Sequence, residues 1–169
     1  RSQRETIQNA HGSLREAGVP TEQVLYEPYG KNTAPALALM CHVLHQRGQG
    51  DEVVGFFPAD HLIFDPARFE KAVRLAEKAA REGHIVTLGI QPTYPSTGYG
   101  YIEVTEQEVL PSEDGLQAFS AKKFYEKPDE KTAERFIEEG HFFWNSGMFV
   151  FKVSNMIEHF KSLLPEVWS

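Results

Sequence analysis

The amino-acid sequence predicts an α/β fold, with a doubly wound, mixed but mostly parallel sheet and helices on both faces. Two observations predict it. Segments with the apolar periodicity of helices alternate with short apolar runs along the 169 residues, as they do in doubly wound domains. The run Val53–Phe57 carries no charge, is β-branched and aromatic apart from one glycine, and is too short for a buried helix. It is therefore expected to be an interior strand of a parallel sheet, covered on both faces.

The first elements follow from helix stop signals and apolar periodicity. Residues Gln3–Ala17 are expected to form a helix that ends at Gly18, and Gln23–Tyr26 to form a short strand. A second helix is expected over Thr33–Arg47, because Pro35 is tolerated in the first turn of a helix.

A third helix and a further strand follow the Val53–Phe57 strand. Asp65 is expected to cap this helix, which has Pro66 at its first position and ends at Gly83. Ile85–Ile90 is expected to be another buried strand. The helix has an apolar stripe of four residues, which are Phe69, Val73, Ala76 and Ala80.

Two longer strands and a helix are expected next. The strands are Tyr99–Val104 and Phe119–Glu126, separated by a polar hairpin at residues 112–115. Asp129 is expected to cap the helix and Gly140 to end it, as glycine often does.

A last strand is expected at Met148–Val153 and a last helix at Met156–Leu164. No repeat, low-complexity segment or linker is visible, so residues 1–169 are expected to lie in one domain without an internal boundary. Both ends are expected to be cuts through a larger protein, because the chain begins without Met and stops just after an apolar segment.

Composition excludes some classes of partner. The formal net charge is −7, whereas nucleic-acid-binding modules usually carry a basic stripe, so no polymeric nucleic acid is expected. Binding of a mononucleotide is still compatible with this net charge, since backbone amides and one metal ion can hold its phosphates. No stretch approaches the roughly 18 apolar residues of a membrane span. The single cysteine, Cys41, fits a reducing compartment and is otherwise a small buried residue, so a cytoplasmic protein is expected.

The first polar motifs lie where strands end and helices begin. Asp60 follows the Val53–Phe57 strand, and open α/β sheets bind ligands beyond the carboxyl ends of their strands. Its carboxylate suits Mg²⁺ that bridges to phosphate oxygens, or it caps a turn. Glu27 closes a strand. Asn32 or Thr33 can cap the next helix, whose free amides favour an anion or a polar base edge.

Further polar motifs follow in the second half. Gly100 lies in the run Gly-Tyr-Gly-Tyr-Ile, where glycine permits close approach of the backbone to a ligand. Glu126 and Lys127 can bind a sugar hydroxyl and a phosphate, or form an exposed ion pair worth under about 1 kcal/mol. Asn145 is either a turn former or a group that binds a hydroxyl.

The order of these motifs resembles that of the sugar-nucleotide pyrophosphorylases over essentially the whole chain. The motifs are Glu-Pro, Asn-Thr-Ala-Pro-Ala, Pro-Ala-Asp-His, Gly-Tyr-Gly-Tyr-Ile, Glu-Lys-Pro and Trp-Asn-Ser-Gly-Met-Phe. Within that family the chain is most similar to the bacterial mannose-1-phosphate guanylyltransferase branch. The resemblance implies the central part of one Rossmann-like nucleotidyltransferase domain, incomplete at both ends, and a possible homo-oligomer.

The resemblance also implies an activity and roles for residues. The activity is attack of mannose 1-phosphate on the α-phosphorus of GTP, with Mg²⁺ as cofactor, giving GDP-mannose and pyrophosphate. Asp60 would hold the metal, and Lys127 would neutralise the sugar phosphate. The remaining residues would bind the nucleotide (Glu27, Asn32 and Thr33) or the sugar (Gly100, Glu126 and Asn145).

Two parts of the family's site are not in this sequence. The Gly-rich triphosphate loop would precede Arg1 and the second metal-binding aspartate would follow Ser169, so the 169 residues alone are expected to be inactive. Two alternatives stay open. One is a pyrophosphorylase for another sugar 1-phosphate and nucleotide, and the other is a noncatalytic subunit that binds a sugar nucleotide.

Overall fold

A computed structural model describes residues 3–20, 24–25 and 33–168. Within these residues the chain forms six helices and five strands. The helices are α1 (Gln3–Glu16), α2 (Thr33–Gln46), α3 (Pro66–Arg81), α4 (Glu130–Glu139), α5 (Val153–Leu163) and α6 (Pro165–Trp168). The strands are β1 (Val53–Phe56), β2 (Val86–Ile90), β3 (Tyr101–Glu113), β4 (Leu116–Tyr125) and β5 (Phe142–Lys152). None of the helices in the described ranges is both long and apolar enough to cross a bilayer.

Both predicted aspartate caps are confirmed. The Asp65 carboxylate accepts a 2.9 Å hydrogen bond from the backbone N–H of Arg68 at the start of α3. The Asp129 carboxylate accepts a 2.8 Å hydrogen bond from the N–H of Thr132 at the start of α4. Such a cap pairs one of the backbone donors that the first helical turn leaves free. Gly140 ends α4 with φ 77°, a left-handed conformation that glycine adopts easily.

The predicted parallel character of the sheet is not confirmed. All four pairings between described strands are antiparallel: β1 with β5, β2 with β5, β3 with β4, and β3 with β5. β1 and β2 do run in the same direction, but β5 lies between them, because Phe149 and Val150 each pair with both strands. Apolar runs predict burial of a strand, and they carry no information on its direction.

Helices cover both faces of the sheet, as the sequence predicted. On one face, α2 and α5 bury Cys41, Phe151 and Val153 completely. On the other face, α3 places Ala76 and Ala80 against Val150 of β5. Neighbouring strand residues point to opposite faces, so β5 supplies apolar side chains to both layers. Burial raises the pKa of the Cys41 thiol to about 11, and this cysteine therefore behaves as a small apolar residue.

A third apolar cluster joins α4 to the sheet. Phe136 of α4 stacks on Phe142 of β5, with ring centroids 4.0 Å apart. Tyr101 at the start of β3 is fully buried in the same cluster. Residues from three elements therefore meet where β3 begins, and this packing fixes the position of the strand ends described below.

Several element boundaries differ from the prediction. β5 begins at Phe142 rather than at Met148, and α5 begins at Val153, three residues early. β1 ends at Phe56 and pairs, among the described residues, with β5 alone. It was predicted to be an interior strand, yet Gly55 and Phe57 are exposed.

The two strands of the β3–β4 hairpin are longer than predicted, and the turn between them is shorter. Asp114 and Gly115 are its two turn residues, with φ 54° and 73°. Two consecutive positive φ values are typical of a type I′ turn, which suits an Asp-Gly pair. Of the strand predicted at Gln23–Tyr26, the two end residues lie outside the described residues, and Val24 and Leu25 belong to neither a helix nor a strand.

Candidate functional site

The ends of four strands meet beside the middle of β5. β1 ends at Phe56, opposite Phe149 of β5, and β2 ends at Ile90, opposite Trp144. Tyr101, the first residue of β3, pairs with Trp144 on one side and with Tyr125, the last residue of β4, on the other. The loops that carry the predicted polar motifs therefore leave their strands in one region, beside the middle of β5.

β5 contains a bulge in the region where these strand ends meet. Between the pairs Gly89↔Asn145 and Thr87↔Phe149, β2 advances by two residues and β5 by four. The extra length is taken up by residues 146–148, and Gly147 has φ 70° there. The Ser146 hydroxyl donates a 2.6 Å hydrogen bond to the backbone carbonyl of Leu88 and accepts one from the N–H of Met148. Such a bulge changes the direction in which nearby side chains point.

Asn145 is held on three sides. Its backbone N–H donates to the carbonyl of Gly100 at 2.8 Å. Its side-chain Oδ1 accepts the N–H of Gly147 at 3.0 Å and the hydroxyl of Thr87 at 3.2 Å. The side chain is half-buried. Asn145 is thus a turn former, which was one of its two predicted roles, and its Nδ2 has no hydrogen-bond partner among the described residues.

Gly100 lies between Glu126 and Asn145. A Cβ atom at position 100 would be 3.2 Å from Glu126 Oε2, 3.5 Å from the carbonyl oxygen of Tyr125 and 3.7 Å from Asn145 Cβ. The three predicted sugar-binding residues are therefore neighbours, although Gly100 precedes β3, Glu126 follows β4 and Asn145 lies within β5. A side chain at position 100 would therefore meet the Glu126 carboxylate, a backbone carbonyl and the side chain of Asn145.

The Glu126–Lys127 pair projects from the end of β4. The side chains are 76% and 63% exposed, and Glu126 Oε1 lies 3.7 Å from Lys127 Nζ. Lys127 has φ 45°, which is unusual for a lysine and more so for a residue that precedes proline. Strained backbone of this kind often occurs at ligand-binding positions. The conformation aims two opposite charges into solvent at the point where β3 begins.

A network of polar side chains around the buried Glu103 lies next to the Glu126–Lys127 pair. Glu103 is 7% exposed, and its carboxylate accepts hydrogen bonds from Lys122 Nζ at 2.5 Å and from the Tyr125 hydroxyl at 2.9 Å. The hydrogen bonds from Lys122 and Tyr125 lower the pKa of Glu103. The same carboxylate raises the pKa of Lys122 and of Tyr125. Because Tyr125 directly precedes Glu126, this network fixes the last residue of β4 beneath the candidate site.

Trp144, the neighbour of Asn145 in β5, belongs to the core, whereas Tyr94 and Tyr99 beside it are exposed. Trp144 is 9% exposed and makes edge-on contacts with Tyr94 and Tyr99, at ring-centroid distances of 5.0 and 5.1 Å. A side-chain hydrogen bond with Tyr94 raises the pKa of Tyr99. Trp144 and Asn145 are adjacent in β5 and point to opposite faces, so this aromatic group lies behind the candidate site.

Asp60 lies on the loop that follows β1. Its side chain is 88% exposed, and the nearest charged group is His61 Nε2, 3.9 Å from Oδ1. Two residues earlier, Pro58 Cγ would be 3.6 Å from a Cβ atom at Gly147. The loop therefore starts against the β5 bulge that Asn145 closes. Apart from His61, the carboxylate of Asp60 has no ion-pair partner in the described part of the chain, and its oxygens are accessible to a cation because the side chain is exposed.

The predicted nucleotide-binding residues are only partly described. Thr33 is exposed at the first position of α2, and α2 packs on the same face of the sheet as Phe149. Thr87 pairs with Phe149, and directly opposed residues of two strands share a face. Thr33, Thr87 and Asn145 thus belong to one face. Glu27 and Asn32 lie outside the described residues.

Some residues of this arrangement were not predicted from the sequence. Thr87, Ser146 and Glu103 all make the contacts that hold the site. The available signal for Thr87 was its place as the one hydroxyl residue in the otherwise apolar strand Val86–Ile90. Glu103 was detectable as a lone carboxylate at the start of a strand, directly after Tyr101 and Ile102.

Comparisons with known proteins show which family and which chains this one is similar to. A family described as nucleotidyl transferase matches residues 1–167. The chain is 43% identical over 147 residues to the alginate biosynthesis protein AlgA of Pseudomonas fluorescens, over 87% of this chain and 29% of that protein. It is 41% identical over 156 residues to mannose-1-phosphate guanylyltransferase RfbM of Salmonella typhimurium, over 92% of this chain and 31% of that protein.

Two solved structures are also similar to this chain over most of its length. A Thermus thermophilus protein named mannose-1-phosphate geranyltransferase superposes with a TM-score of 0.77 at 32% identity. The match covers 94% of this chain and 44% of that one. A Helicobacter pylori protein named mannose-6-phosphate isomerase superposes with a TM-score of 0.72 at 31% identity, over 91% of this chain and 56% of that one. The chain therefore spans less than a third of the two curated relatives and about half of these structures.

Proposed function

Because this chain belongs to the nucleotidyl transferase family, we propose that its protein transfers GMP from GTP to mannose 1-phosphate, forming GDP-mannose and pyrophosphate. The chain is one central part of the catalytic domain in this proposal. Relatives that carry the name mannose-1-phosphate guanylyltransferase support the choice of sugar and base. The order of the Asn-Thr-Ala-Pro-Ala and Trp-Asn-Ser-Gly-Met motifs supports it as well.

The observation that carries the proposal is the grouping of Gly100, Glu126 and Asn145. The Glu126 carboxylate lies 3.2 Å, and Asn145 Cβ 3.7 Å, from the point that a Cβ atom at position 100 would occupy. This grouping suits a ligand rich in hydroxyl groups, since Glu126 accepts hydrogen bonds and the Asn145 amide can donate them. We assign this group to the sugar ring.

The charges around the group suit a sugar that carries a phosphate. Lys127 directly follows Glu126 and is 63% exposed, so its ammonium can reach a phosphate attached to the bound sugar. The proposed role of Lys127 is to neutralise the phosphate oxygen that attacks. The new bond joins this oxygen to the α-phosphorus of GTP, the bond from the α-phosphorus to the bridging oxygen breaks, and pyrophosphate leaves with the electron pair. No side chain becomes a covalent nucleophile, so positioning and charge neutralisation account for the rate.

The donor set of the loop after β1 is compatible with Mg²⁺. Mg²⁺ in phosphoryl-transfer sites usually takes one or two carboxylates and completes its shell with phosphate oxygens and water. Asp60 offers one exposed carboxylate, whose ion-pair contact is with His61 at 3.9 Å, and the described residues contain no group of three or more acidic, histidine or cysteine side chains that could hold a metal ion. Asp60 would hold the ion, which when bound offsets the negative charge of the phosphates.

The nucleotide is assigned to the amino end of α2. Thr33 is exposed at the first helical position, where free backbone N–H groups and the helix dipole favour phosphate or a polar base edge. Glu27 and Asn32 are proposed to contact the ribose and the guanine from the segment before α2. We also propose a cytoplasmic enzyme, since a single cysteine fits a reducing compartment, and a homo-oligomer is compatible with the proposal.

The test is an assay of the full-length protein with defined substrate pairs. Pyrophosphate release is measured with GTP or UTP, each with mannose 1-phosphate or glucose 1-phosphate, in the presence of Mg²⁺. The proposal predicts the highest kcat/KM for GTP with mannose 1-phosphate and loss of turnover after chelation of the metal. A preference for UTP or for glucose 1-phosphate would indicate a different pyrophosphorylase. Binding of GDP-mannose without turnover of any pair would indicate a noncatalytic subunit.

A further inference from the structure

The orientation of the Asn145 amide is determined by its neighbours. The backbone N–H of Gly147 lies 3.0 Å from Oδ1, and a backbone N–H can only donate. The atom that faces Gly147 must therefore be the amide oxygen, because an NH₂ group there would place two donors against each other. This leaves the Nδ2 group as the part of the side chain that is available to a ligand.

Thr87 completes this arrangement from the neighbouring strand. Its hydroxyl lies 3.2 Å from the same Oδ1. Since Oδ1 already accepts from Gly147, the Thr87 hydroxyl is the donor in this contact. The residue directly opposite Asn145 in β2 is Gly89, which has no side chain, so the hydroxyl of Thr87, two positions earlier and on the same face, can reach the amide.

We propose that Thr87 is a positioning residue that fixes Asn145 as a hydrogen-bond donor to a sugar hydroxyl. The proposal rests on the function proposed above. With both acceptor directions of Oδ1 used by Gly147 and Thr87, the amide cannot rotate by 180° without losing two hydrogen bonds. Asn145 then offers only N–H donors to the sugar.

This assignment determines which side of the site donates hydrogen bonds to the sugar and which side accepts them. The Glu126 carboxylate, on the other side of Gly100, is an acceptor only. A sugar hydroxyl between the two side chains therefore accepts from Asn145 and donates to Glu126. A hydroxyl that is missing, or that points elsewhere in an epimer, leaves both groups unpaired, and sites of this kind reject such substrates strongly. Thr87 thus contributes to specificity without touching the sugar.

The variant Thr87→Val keeps the shape of the side chain and its preference for strands, and removes the hydroxyl. Thr105→Val is the matched control, because the Thr105 hydroxyl is buried and has no hydrogen-bond partner within the described ranges. In the full-length protein, Thr87→Val should raise KM for mannose 1-phosphate about tenfold. This is the effect expected when Asn145, which contacts the sugar, loses one hydrogen bond that holds it in place. The KM of Thr87→Val for GTP should stay within about twofold of wild type, Thr87→Ser should restore the sugar KM, and Thr105→Val should match wild type.

Mannose 1-phosphates that lack one hydroxyl at a time show whether Thr87 acts through the sugar contact. Wild type should lose about tenfold in kcat/KM with the analogue that lacks the hydroxyl read by Asn145, and Thr87→Val should lose much less with that analogue, because the contact is already weakened. An unchanged sugar KM, or an equal loss with every analogue in both proteins, would overturn the proposal.

A second variant covers the case in which Thr87→Val does not fold. Asn145→Asp keeps one oxygen toward Gly147 and Thr87 and replaces the sugar-facing donor by an acceptor. We expect its sugar KM to rise at least tenfold, or about 1.4 kcal/mol, and a wild-type sugar KM would contradict the donor assignment. If the wild-type protein turns over no sugar 1-phosphate, the proposed function fails and this inference fails with it. Wild-type turnover together with a normal Thr87→Val enzyme overturns this inference alone.

Discussion

The backbone carbonyl of Gly100 accepts a 2.8 Å hydrogen bond from the N–H of Asn145. The bond ties the residue before β3 to the middle of β5, next to the β5 bulge. It also fixes the direction of the missing side chain at position 100, which would point at the Glu126 carboxylate 3.2 Å away. One backbone contact thus holds Gly100 beside both Glu126 and Asn145.

A side chain at position 100 should affect sugar binding more than the fold. In Gly100→Ala the new methyl group would meet the end of the exposed Glu126 side chain, which can move aside. We expect a melting temperature within about 4 °C of wild type, the shift that corresponds to under 1 kcal/mol in a domain of this size. KM for mannose 1-phosphate should rise about tenfold or more, because the methyl group occupies the sugar's position.

Gly98→Ala is the control in the same loop. A Cβ atom at position 98 would meet only Ser96 Oγ, at 3.7 Å, which is an ordinary contact distance. Steady-state kinetics should give a sugar KM close to wild type for this variant. Equal effects of the two substitutions would mean that the loop's flexibility, rather than the space beside Glu126, determines sugar binding.

Lys127 should act through its charge and not through its backbone. Lys127→Ala and Lys127→Gly both remove the ammonium, but only glycine adopts φ 45° without strain. Both variants should raise KM for the sugar 1-phosphate and lower kcat, with a smaller effect on KM for GTP. The glycine variant should melt at a higher temperature than the alanine variant. Recovery of wild-type kinetics in the glycine variant would assign the role of Lys127 to backbone conformation.

Glu126→Gln should weaken discrimination between sugars. The amide of glutamine can donate as well as accept, so the acceptor that the sugar hydroxyl requires is no longer unique. We expect the ratio of kcat/KM for mannose 1-phosphate to that for its epimers to fall, measured by competition between the two substrates. If the ratio is unchanged while KM for GTP rises, Glu126 belongs to the nucleotide site instead.

Glu103 should make stability depend on pH in the acid range. Its pKa in the folded state is lowered from 4.5 by Lys122 and Tyr125, so its contribution is present above pH 4.5 and is lost as pH falls through the lowered folded value. Chemical denaturation of wild type and Glu103→Gln should therefore show a stability difference at pH 7 that shrinks as pH falls below about 4.5. Glu106→Gln, at an exposed position of the same strand, is the control. A difference that is constant with pH would show that Glu103 acts by packing alone.

The elements that local chemistry specifies were predictable from the sequence. Asp65, Asp129 and Gly140 each mark a helix end by a hydrogen bond or a φ value that the residue type favours. The grouping of Gly100 with Asn145 was reached through the order of motifs, since no local pattern relates two residues so far apart in the sequence.

Other features depend on tertiary contacts and could not be predicted in this way. Asn145, Ser146 and Gly147 are typical turn residues, so β5 was expected to begin only after them. In the structure their side-chain and backbone hydrogen bonds close a bulge inside a continuous strand. Thr87 matters because of its partner in another strand, and a lone threonine in an apolar run gives no indication of that partner.

The most direct test of the proposed function compares two Asp→Asn substitutions near opposite ends of β1. Asp60 lies on the loop after the strand and is 88% exposed. Asp51 precedes the strand, pairs with Lys152 at 2.7 Å, and is also exposed. The measurement is Mg²⁺-dependent release of pyrophosphate by the full-length protein from GTP and mannose 1-phosphate, with melting temperatures recorded for each variant.

The account predicts that Asp60→Asn lowers kcat by at least about 100-fold without a change in melting temperature, because the lost charge is needed at the phosphates and not for folding. Asp51→Asn should retain wild-type kcat. A near-normal kcat for Asp60→Asn at saturating Mg²⁺, or an equal loss in both variants, would contradict the account.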